Sequence, residues 1–230
     1  MEGEMAEIKV VRWEEGEPVL DIELEEDLLK KNRELAQENR RLFDAKGIFA
    51  IDVVGETGSG KTTLIYNLAN ELKNYSIGAI AGDPEELADA EILKDAVKKV
   101  VQIQTGTECH LDAHLLKKAL KEFEDEKIDI LFIENVGNII CPAEFPLGAH
   151  LRICCIGLAS PHIVRKHPFM FRSAQILVVN KIDLKDIIDF DYKKLIEDAR
   201  KVNPKLKIFE VSCKQKTGIK ELADEIRKMK

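Results

Sequence analysis

The sequence predicts an α/β fold, with a mostly parallel sheet covered by helices on both faces. From residue 48 onward, short apolar runs typical of strands alternate with amphipathic runs typical of helices, and this alternation favours parallel pairing. A glycine-rich turn joins the first of these strands to a helix, and polar motifs follow later strands. Ligands bind at the carboxyl ends of such strands. We therefore expect one binding edge.

The predicted elements follow in chain order. Residues 1–20 give a weak indication of a strand, and residues 24–45 form a charged helix that ends before Gly47. Four prolines punctuate a loop-rich region at 138–170. We expect an N-terminal extension at 1–46 and a nucleotide-binding domain at 47–230. The other strands are predicted at 48–54, 77–82, 99–104, 129–134, 151–156, 175–180 and 206–211, and the other helices at 62–74, 86–97, 112–125, 191–202 and 217–229.

The charged helix has two interpretations. Leu28, Leu35 and Leu42 recur every seven residues, with Asn32 and Asn39 between them in the same seam. The helix either lies against the nucleotide-binding domain or pairs with a partner or a second copy.

Composition excludes several classes of protein. A net charge of −7 argues against nonspecific binding to nucleic acid or anionic membranes. No apolar run approaches the roughly 20 residues of a membrane span, and the acidic N-terminus does not resemble a secretory signal. The five cysteines are an odd number, three of them on or beside apolar strands, which favours reduced thiols. We expect a cytoplasmic protein without nucleic-acid or membrane partners.

Residues 55–62 read G-E-T-G-S-G-K-T, a complete phosphate-binding loop between a strand and a helix. Its glycines let backbone N–H groups point at phosphate oxygens, where the helix N-terminus adds a favourable dipole. Lys61 would reach the β- and γ-phosphates, and the Thr62 hydroxyl would bind Mg²⁺. The residues assigned to phosphate binding are Gly55, Thr57, Gly58, Ser59, Gly60, Lys61, Thr62 and Thr63.

The motif N-K-I-D at 180–183 ends an apolar strand and indicates guanine. The Asp183 carboxylate can accept hydrogen bonds from guanine N1–H and the N2 amino group, a donor pair that adenine lacks. The aliphatic stem of Lys181 can cover the base. A third motif, S-C-K at 212–214, resembles the S-A-K loop of GTPases. We assign GTP or GDP to Asn180, Lys181, Asp183, Ser212, Cys213 and Lys214.

A second chemistry lies between these motifs. Cys109 and His110 precede a predicted helix, and Cys141 follows a later strand. Thiolate and imidazole favour Zn²⁺, Ni²⁺ or copper, and three ligands are one short of a closed tetrahedral site. His114 is either the fourth ligand or a solvent-facing residue. Alternatively, the cysteines are small residues in loops.

Together these residues resemble the HypB family, the nickel-incorporation GTPases of nickel–iron hydrogenase maturation. The matching stretches are 38–42, the phosphate loop, 105–114, 132–142 and 180–183. The resemblance covers roughly residues 28–230. C-H-L-D-A-H and E-N-V-G-N-x-x-C-P are not shared by GTPases at large. The related urease-maturation GTPases look similar in architecture but lack the Cys-His pair and the N-V-G-N-x-x-C-P loop.

The resemblance implies a dimer-forming, SIMIBI-type P-loop GTPase whose nucleotide state controls nickel release. Its partners would be a nickel-delivery accessory protein and the hydrogenase large subunit. The family's Ni²⁺ or Zn²⁺ ligands correspond to Cys109, His110 and Cys141, and its switch aspartate to Asp89. Ile92 stands where the family has arginine. Residues 157–162 replace an acidic, lysine-containing loop, and no cysteine-rich or histidine-rich nickel-storage tract is present.

The expected reaction is attack of water on the γ-phosphoryl group, helped by positioning and charge. Thr62 and either Asp89 or Asp83 would hold Mg²⁺. The E-x-x-G sequence of Glu134 and Gly137 would sense the γ-phosphate, and without an evident intrinsic arginine finger we expect slow turnover. The residues assigned to catalysis are Lys61, Thr62, Glu134 and Gly137.

Gly137 and Cys141 are four residues apart, within about 14 Å even when fully extended. Movement of the glycine on hydrolysis can therefore move the thiolate. Three alternatives are a regulatory GTPase of the urease-maturation type with structural cysteines, a metal-binding module whose nucleotide serves assembly, and a small P-loop kinase. N-K-I-D disfavours the kinase.

Overall fold

The computed structural model describes residues 8–12, 25–83, 88–106, 108–158, 162–188 and 191–230. The described strands form one eight-stranded sheet in the order β1-β4-β3-β5-β2-β6-β7-β8, in which every pair of neighbours is parallel. The strands are β1 Ile8–Arg12, β2 Phe49–Gly55, β3 Ile77–Asp83, β4 Lys99–Gln104, β5 Ile130–Glu134, β6 Leu151–Ile156, β7 Ile176–Val179 and β8 Lys207–Glu210.

Helices cover both faces of this sheet, as predicted. One face packs against α2, α3 and α9, and the other against α1, α4 and α6 to α8. Strands β5 and β6, near the sheet centre, are buried along their whole length because both faces are covered, and apart from Glu134 and Arg152 their residues are apolar. The helices are α1 Glu25–Lys46, α2 Lys61–Glu71, α3 Ala88–Leu93, α4 Ala113–Leu120, α5 Cys141–Glu144, α6 Ile163–Lys166, α7 Pro168–Ser173, α8 Tyr192–Val202 and α9 Ile219–Met229.

Two predicted helices are much shorter than expected. The helix predicted at 86–97 is α3, which ends at Leu93 because the chain turns there to enter β4. The helix predicted at 112–125 is α4, followed by a 3-10 turn at Lys121–Phe123 that carries Phe123 into the core. The region 138–170 contains the short helices α5, α6 and α7 besides β6.

Helix α1 lies against the domain, chiefly on α4, but the leucine heptad is not its buried stripe. Leu42 is 37% exposed, whereas Asn32, Ala36, Asn39 and Phe43 are buried. The stripe facing the domain is therefore partly polar, and the two asparagines lie inside it.

The sheet order places every predicted motif at one edge. Strand β2 is central, between β5 and β6. Its carboxyl end, at Gly55, therefore lies beside the ends of both neighbours, and the loops after β3, β4 and β7 open at the same edge. No helix of the described residues is long and apolar enough to cross a membrane.

Candidate functional site: a phosphate loop joined to a thiol-imidazole cluster

The phosphate loop has the conformation its glycines predict. Gly60 has φ +93°, and a Cβ there would lie 2.4 Å from Asn180 Nδ2, so only glycine fits. Helix α2 begins at the next residue, Lys61. The Lys61 ammonium donates hydrogen bonds to the carbonyls of Gly55, at 3.3 Å, and Glu56, at 3.2 Å. It is thus held beside the loop on which phosphates are predicted to sit.

A cluster of oxygen atoms lies at the start of α2. The Thr62 hydroxyl is 2.7 Å from Asp89 Oδ1 and 2.8 Å from Glu134 Oε1, and its one hydrogen can be donated to only one carboxylate at a time. Burial of Glu134, the negative charge of Asp89 and then that of Asp83 raise the pKa of Glu134 to about 8.

This cluster fits a magnesium ion. The second carboxylate oxygen of Glu134 is buried and has no hydrogen-bond partner among the described residues. A bound divalent cation would satisfy that oxygen and relieve the repulsion among the carboxylates, and hydroxyl and carboxylate oxygens are the ligands Mg²⁺ prefers. The residues that can supply them are Thr62, Asp83, Asp89 and Glu134.

The base motif forms a connected unit with the phosphate loop. Asn180 donates to the Ser59 carbonyl at 2.8 Å and accepts from the Cys213 amide at 3.0 Å. Ser212 donates from its hydroxyl to the Asp183 carboxylate. Asn67 on α2 also holds this unit, since it donates to the Cys213 carbonyl at 2.9 Å, and sequence reasoning missed it. One frame therefore positions N-K-I-D, S-C-K and the phosphate loop.

An open cavity of about 160 Å³ lies beside Lys181. Its wall combines the phosphate loop with apolar side chains, and Lys181 adopts a left-handed backbone conformation, with φ +65°. An apolar wall next to phosphate-binding amides suits the sugar and base of a nucleotide. The cavity is lined by residues 56–59, Gly157, Leu158, Lys181, Leu184 and Ile188.

The structure brings Cys109, His110 and Cys141 together. Their ligand atoms lie within 4.8 Å of one another, and the two sulfur atoms are 2.8 Å apart. Both cysteines are free thiols. His114 is exposed on α4 and does not belong to this group. Two sulfur atoms and one imidazole suit a borderline or soft metal such as Ni²⁺ or Zn²⁺.

The surroundings of the cluster adjust its protonation. Burial lowers the pKa of His110, so its ring is neutral, the form that binds metal, at physiological pH. The ring packs on Phe145, with centroids 4.0 Å apart. Burial and the neighbouring Cys109 raise the pKa of Cys141 to about 11, so a metal must displace its proton.

One loop connects the cluster to the phosphate loop. Thr57 donates from its hydroxyl to the Gly137 carbonyl at 2.9 Å, and Asn138 forms a backbone bridge with Gly55. The Asn138 side chain donates to the Cys141 sulfur at 3.4 Å. The segment that follows β5 therefore contacts both sites, and the role of Asn138 was not predicted from the sequence.

Asn135 makes a second connection. Its side-chain oxygen accepts from the backbone N–H of Leu111, the residue after His110, at 3.0 Å, and its amide lies 3.3 Å from the carboxylate of Asp52 on β2. Asp52 in turn pairs with Arg152 at 2.8 Å. This buried network ties the Cys109 loop to the strand that ends in the phosphate loop.

Comparison with known proteins decides the family. Residues 49–210 match the model described as the CobW/HypB/UreG nucleotide-binding domain. A curated relative, "Probable hydrogenase maturation factor HypB" of Methanocaldococcus jannaschii, is 45% identical over 212 residues, which are 91% of this chain and 95% of that protein. The chain belongs to the HypB family.

Two solved HypB structures share its fold. HypB of Archaeoglobus fulgidus has a TM-score of 0.81 and 39% identity, covering 87% of this chain and 98% of the other. HypB of Helicobacter pylori in complex with nickel has a TM-score of 0.82 and 31% identity, covering 86% and 94%. The predicted family and the SIMIBI-type α/β fold are thus confirmed. The sheet was predicted to be mostly parallel, and among the described strands every pair of neighbours is parallel.

Two of the departures expected from the family resemblance can be placed in the structure. Ile92, where the resemblance implies an arginine, is 46% exposed on α3. Gly157 and Leu158, from the altered loop, line the cavity beside Lys181, while residues 159–161 lie outside the described part of the chain. The first departure therefore places an apolar side chain on the surface.

Proposed function

We propose that this chain is a cytoplasmic GTPase that couples its nucleotide state to the binding and release of nickel during hydrogenase maturation. The observation that carries the proposal is the double contact of Asn138, whose backbone pairs with Gly55 and whose side chain reaches Cys141. The names of the relatives and the nickel in the Helicobacter pylori structure support the cargo and the pathway.

Nucleotide binding follows from the frame that joins the three motifs. The phosphates lie on residues 55–62, and Lys61 exchanges its two carbonyl partners for phosphate oxygens. Asp183, oriented by Ser212, accepts from guanine. ATP leaves that carboxylate without its donor pair, which costs about 2–3 kcal/mol in affinity.

Hydrolysis is attack of water on the γ-phosphorus, which breaks its bond to the β–γ bridging oxygen and releases phosphate and GDP. Mg²⁺, when bound, supplies positive charge to the β- and γ-phosphate oxygens. Thr62, Glu134 and Asp89 would hold it, with Asp83 directly or through water. Gly137, hydrogen-bonded to Thr57, is poised to respond to loss of the γ-phosphate.

Metal binding uses Cys109, His110 and Cys141, with the fourth position left to another ligand. GTP would order the loop of Gly137 against the phosphates, and hydrolysis would release the loop and displace the Cys141 sulfur. A twofold dimer would bring two incomplete sets of ligands together. The partners are a nickel-delivery accessory protein and the hydrogenase large subunit.

The proposal is tested by titrating chelator-washed protein with Ni²⁺ in the presence of GDP or of a non-hydrolysable GTP analogue. We expect the two affinities to differ at least tenfold, about 1.4 kcal/mol, and hydrolysis to be specific for GTP over ATP. Equal Ni²⁺ affinities in both states would overturn the coupling, and no Ni²⁺ binding in either state would leave a regulatory GTPase with structural cysteines. Hydrolysis of ATP at the same rate would remove the guanine assignment.

A further inference from the structure

The metal ligands lie on two segments of chain whose relative position must be fixed. Cys109 and His110 precede α4, and Cys141 begins α5, 32 residues further on. Each ligand lies in a loop or at the end of a short helix, outside the sheet. A site with three protein ligands needs both segments held within tenths of an ångström.

We propose that helix α1 is the brace that holds these two segments together, with Asn32 and Asn39 as positioning residues; this rests on the metal role proposed above. Asn32 accepts a hydrogen bond from the backbone N–H of Ala113 at 2.8 Å, and donates to the Pro146 carbonyl at 3.0 Å. One side chain thus contacts the segment of Cys109 and the segment of Cys141.

The contact with Ala113 has a clear physical reason. Ala113 is the first residue of α4, so its N–H has no partner within the helix. The N-cap Asp112 accepts from Leu115 and not from Ala113. Asn32 therefore supplies the missing acceptor and fixes the start of α4, three residues after His110.

Asn39 repeats the arrangement two helical turns along α1. It donates to the carbonyl of Ala113 at 2.9 Å and to that of Leu147 at 3.3 Å. Between the two asparagines, Gly148 lies so close to α1 that a Cβ would be 2.1 Å from the Ala36 carbonyl oxygen. The second segment is therefore pressed directly onto the helix.

If helix α1 served only to stabilise the fold, the face that it buries would be expected to carry apolar side chains instead of two asparagines. Asn32 is 5% exposed and Asn39 1% exposed, and Asn39 Oδ1 has no hydrogen-bond partner in the part of the chain that the structure describes. Burying amides in this way is unfavourable relative to apolar side chains. Apolar contacts are non-directional, whereas these amides fix the position of named backbone groups on both ligand segments.

The test compares Asn32→Ala with the wild-type chain, using Co²⁺ as a spectroscopic probe and Ni²⁺ for affinity. We expect Ni²⁺ affinity to fall at least tenfold and the thiolate-to-Co²⁺ charge-transfer band per bound ion to weaken, because the two sulfur atoms no longer converge. Affinity for a GTP analogue should stay within twofold. Asn39→Ala should behave in the same way, and Asn70→Ala, an exposed asparagine of α2, is the matched control.

Three results would overturn the proposal that helix α1 positions the metal ligands. Unchanged Ni²⁺ affinity and an unchanged Co²⁺ spectrum in both variants would overturn the brace while leaving the proposed function intact. Parallel loss of metal and GTP-analogue affinity would show that the asparagines serve the fold as a whole, and would also overturn it. A wild-type chain that binds neither metal would remove the proposed metal function, and the brace with it.

Discussion

The side-chain amide of Asn138 donates a hydrogen bond to the sulfur of Cys141, across 3.4 Å. The same residue pairs through its backbone with Gly55 of the phosphate loop. Asn138 therefore links the phosphate loop directly to a metal-ligand candidate, so a movement of the phosphate loop can be transmitted to Cys141 through this one residue. This is a shorter path than the four-residue spacing of Gly137 and Cys141 suggests.

Asn138→Ala should uncouple the two sites. Each site keeps its own ligands, but the side-chain amide that connects the backbone partner of Gly55 to the Cys141 thiol is lost. We expect the ratio of Ni²⁺ affinities measured with GTP analogue and with GDP to fall toward one, while GTP-analogue affinity is retained. Calorimetric titration checks this, with Asn70→Ala as control. A variant with the wild-type ratio would show that coupling runs by another route.

Glu134→Gln should stabilise the chain that lacks nucleotide and Mg²⁺, and disable it as a GTPase. The folded state raises the pKa of Glu134 to about 8 from 4.5, so the wild-type contribution to stability is full below pH 4.5 and is lost as pH rises through 8. At pH 8 with chelator, this shift corresponds to a gain of about 4 kcal/mol, or roughly 8–16 °C in Tm for a chain of this size.

The comparison of Tm between pH 5 and pH 8 supplies the control, since the advantage of Glu134→Gln should shrink at the lower pH. Hydrolysis by this variant should drop sharply because a candidate Mg²⁺ ligand loses its charge. A Tm difference that does not depend on pH would contradict the assignment of a protonated, buried carboxyl.

Asp183→Asn should change base selection. The substitution replaces an acceptor with a donor opposite guanine N1–H, so GTP affinity should fall at least tenfold, about 1.4 kcal/mol, and xanthine nucleotide should bind better. Fluorescent-nucleotide competition measures both. The side-chain oxygen of the introduced asparagine can still accept the hydrogen bond from the Ser212 hydroxyl, so the N-K-I-D loop should keep its position. Unchanged GTP affinity would refute the guanine assignment.

Lys61→Ala should abolish hydrolysis and leave the fold intact. Lys61 bonds only to the carbonyls of Gly55 and Glu56 among the contacts described, so its loss removes charge at the phosphates without opening the apolar core. Phosphate release under single-turnover conditions and Tm are the two measurements. Hydrolysis at the wild-type rate would place catalysis elsewhere.

Cys141→Ala should lose metal and weaken metal-dependent dimerisation, yet bind GTP almost normally. The expectation follows from a site with three ligands in each chain, which a twofold axis can complete. Sedimentation with GTP analogue and either Ni²⁺ or Zn²⁺ tests it on wild type and variant. A wild-type chain that stays monomeric under all these conditions would defeat the shared site.

The sequence predicted those features that depend on local chemistry. The phosphate loop requires glycines at fixed offsets, and each strand of a parallel sheet covered on both faces is a nearly unbroken apolar run. Both patterns can be recognised within a single segment of the sequence. Cys109, His110 and Cys141 were grouped because thiolate and imidazole suit the same metals, and the family resemblance named the same three residues. The structure brings their ligand atoms within 4.8 Å of one another.

The missed features depend on contacts between distant segments. In helix α1 the leucines and the asparagines recur with the same spacing of seven, and only the position of α4 and of the loop at 146–149 makes the asparagines, rather than the leucines, the buried residues. Asn135 and Asn138 likewise lie in a loop where either would suit a turn. Their partners, Leu111 and Gly55, are far away in sequence.

None of the three metal-ligand candidates belongs to a strand of the sheet. Cys109 and His110 lie in the loop before α4, and Cys141 begins a helix of four residues. In evolutionary terms, the hydrophobic core and the choice of metal can vary independently, because ligands can be exchanged at these positions without disturbing a strand. Descendants of one ancestral nucleotide switch could in this way come to serve different metals on the same frame.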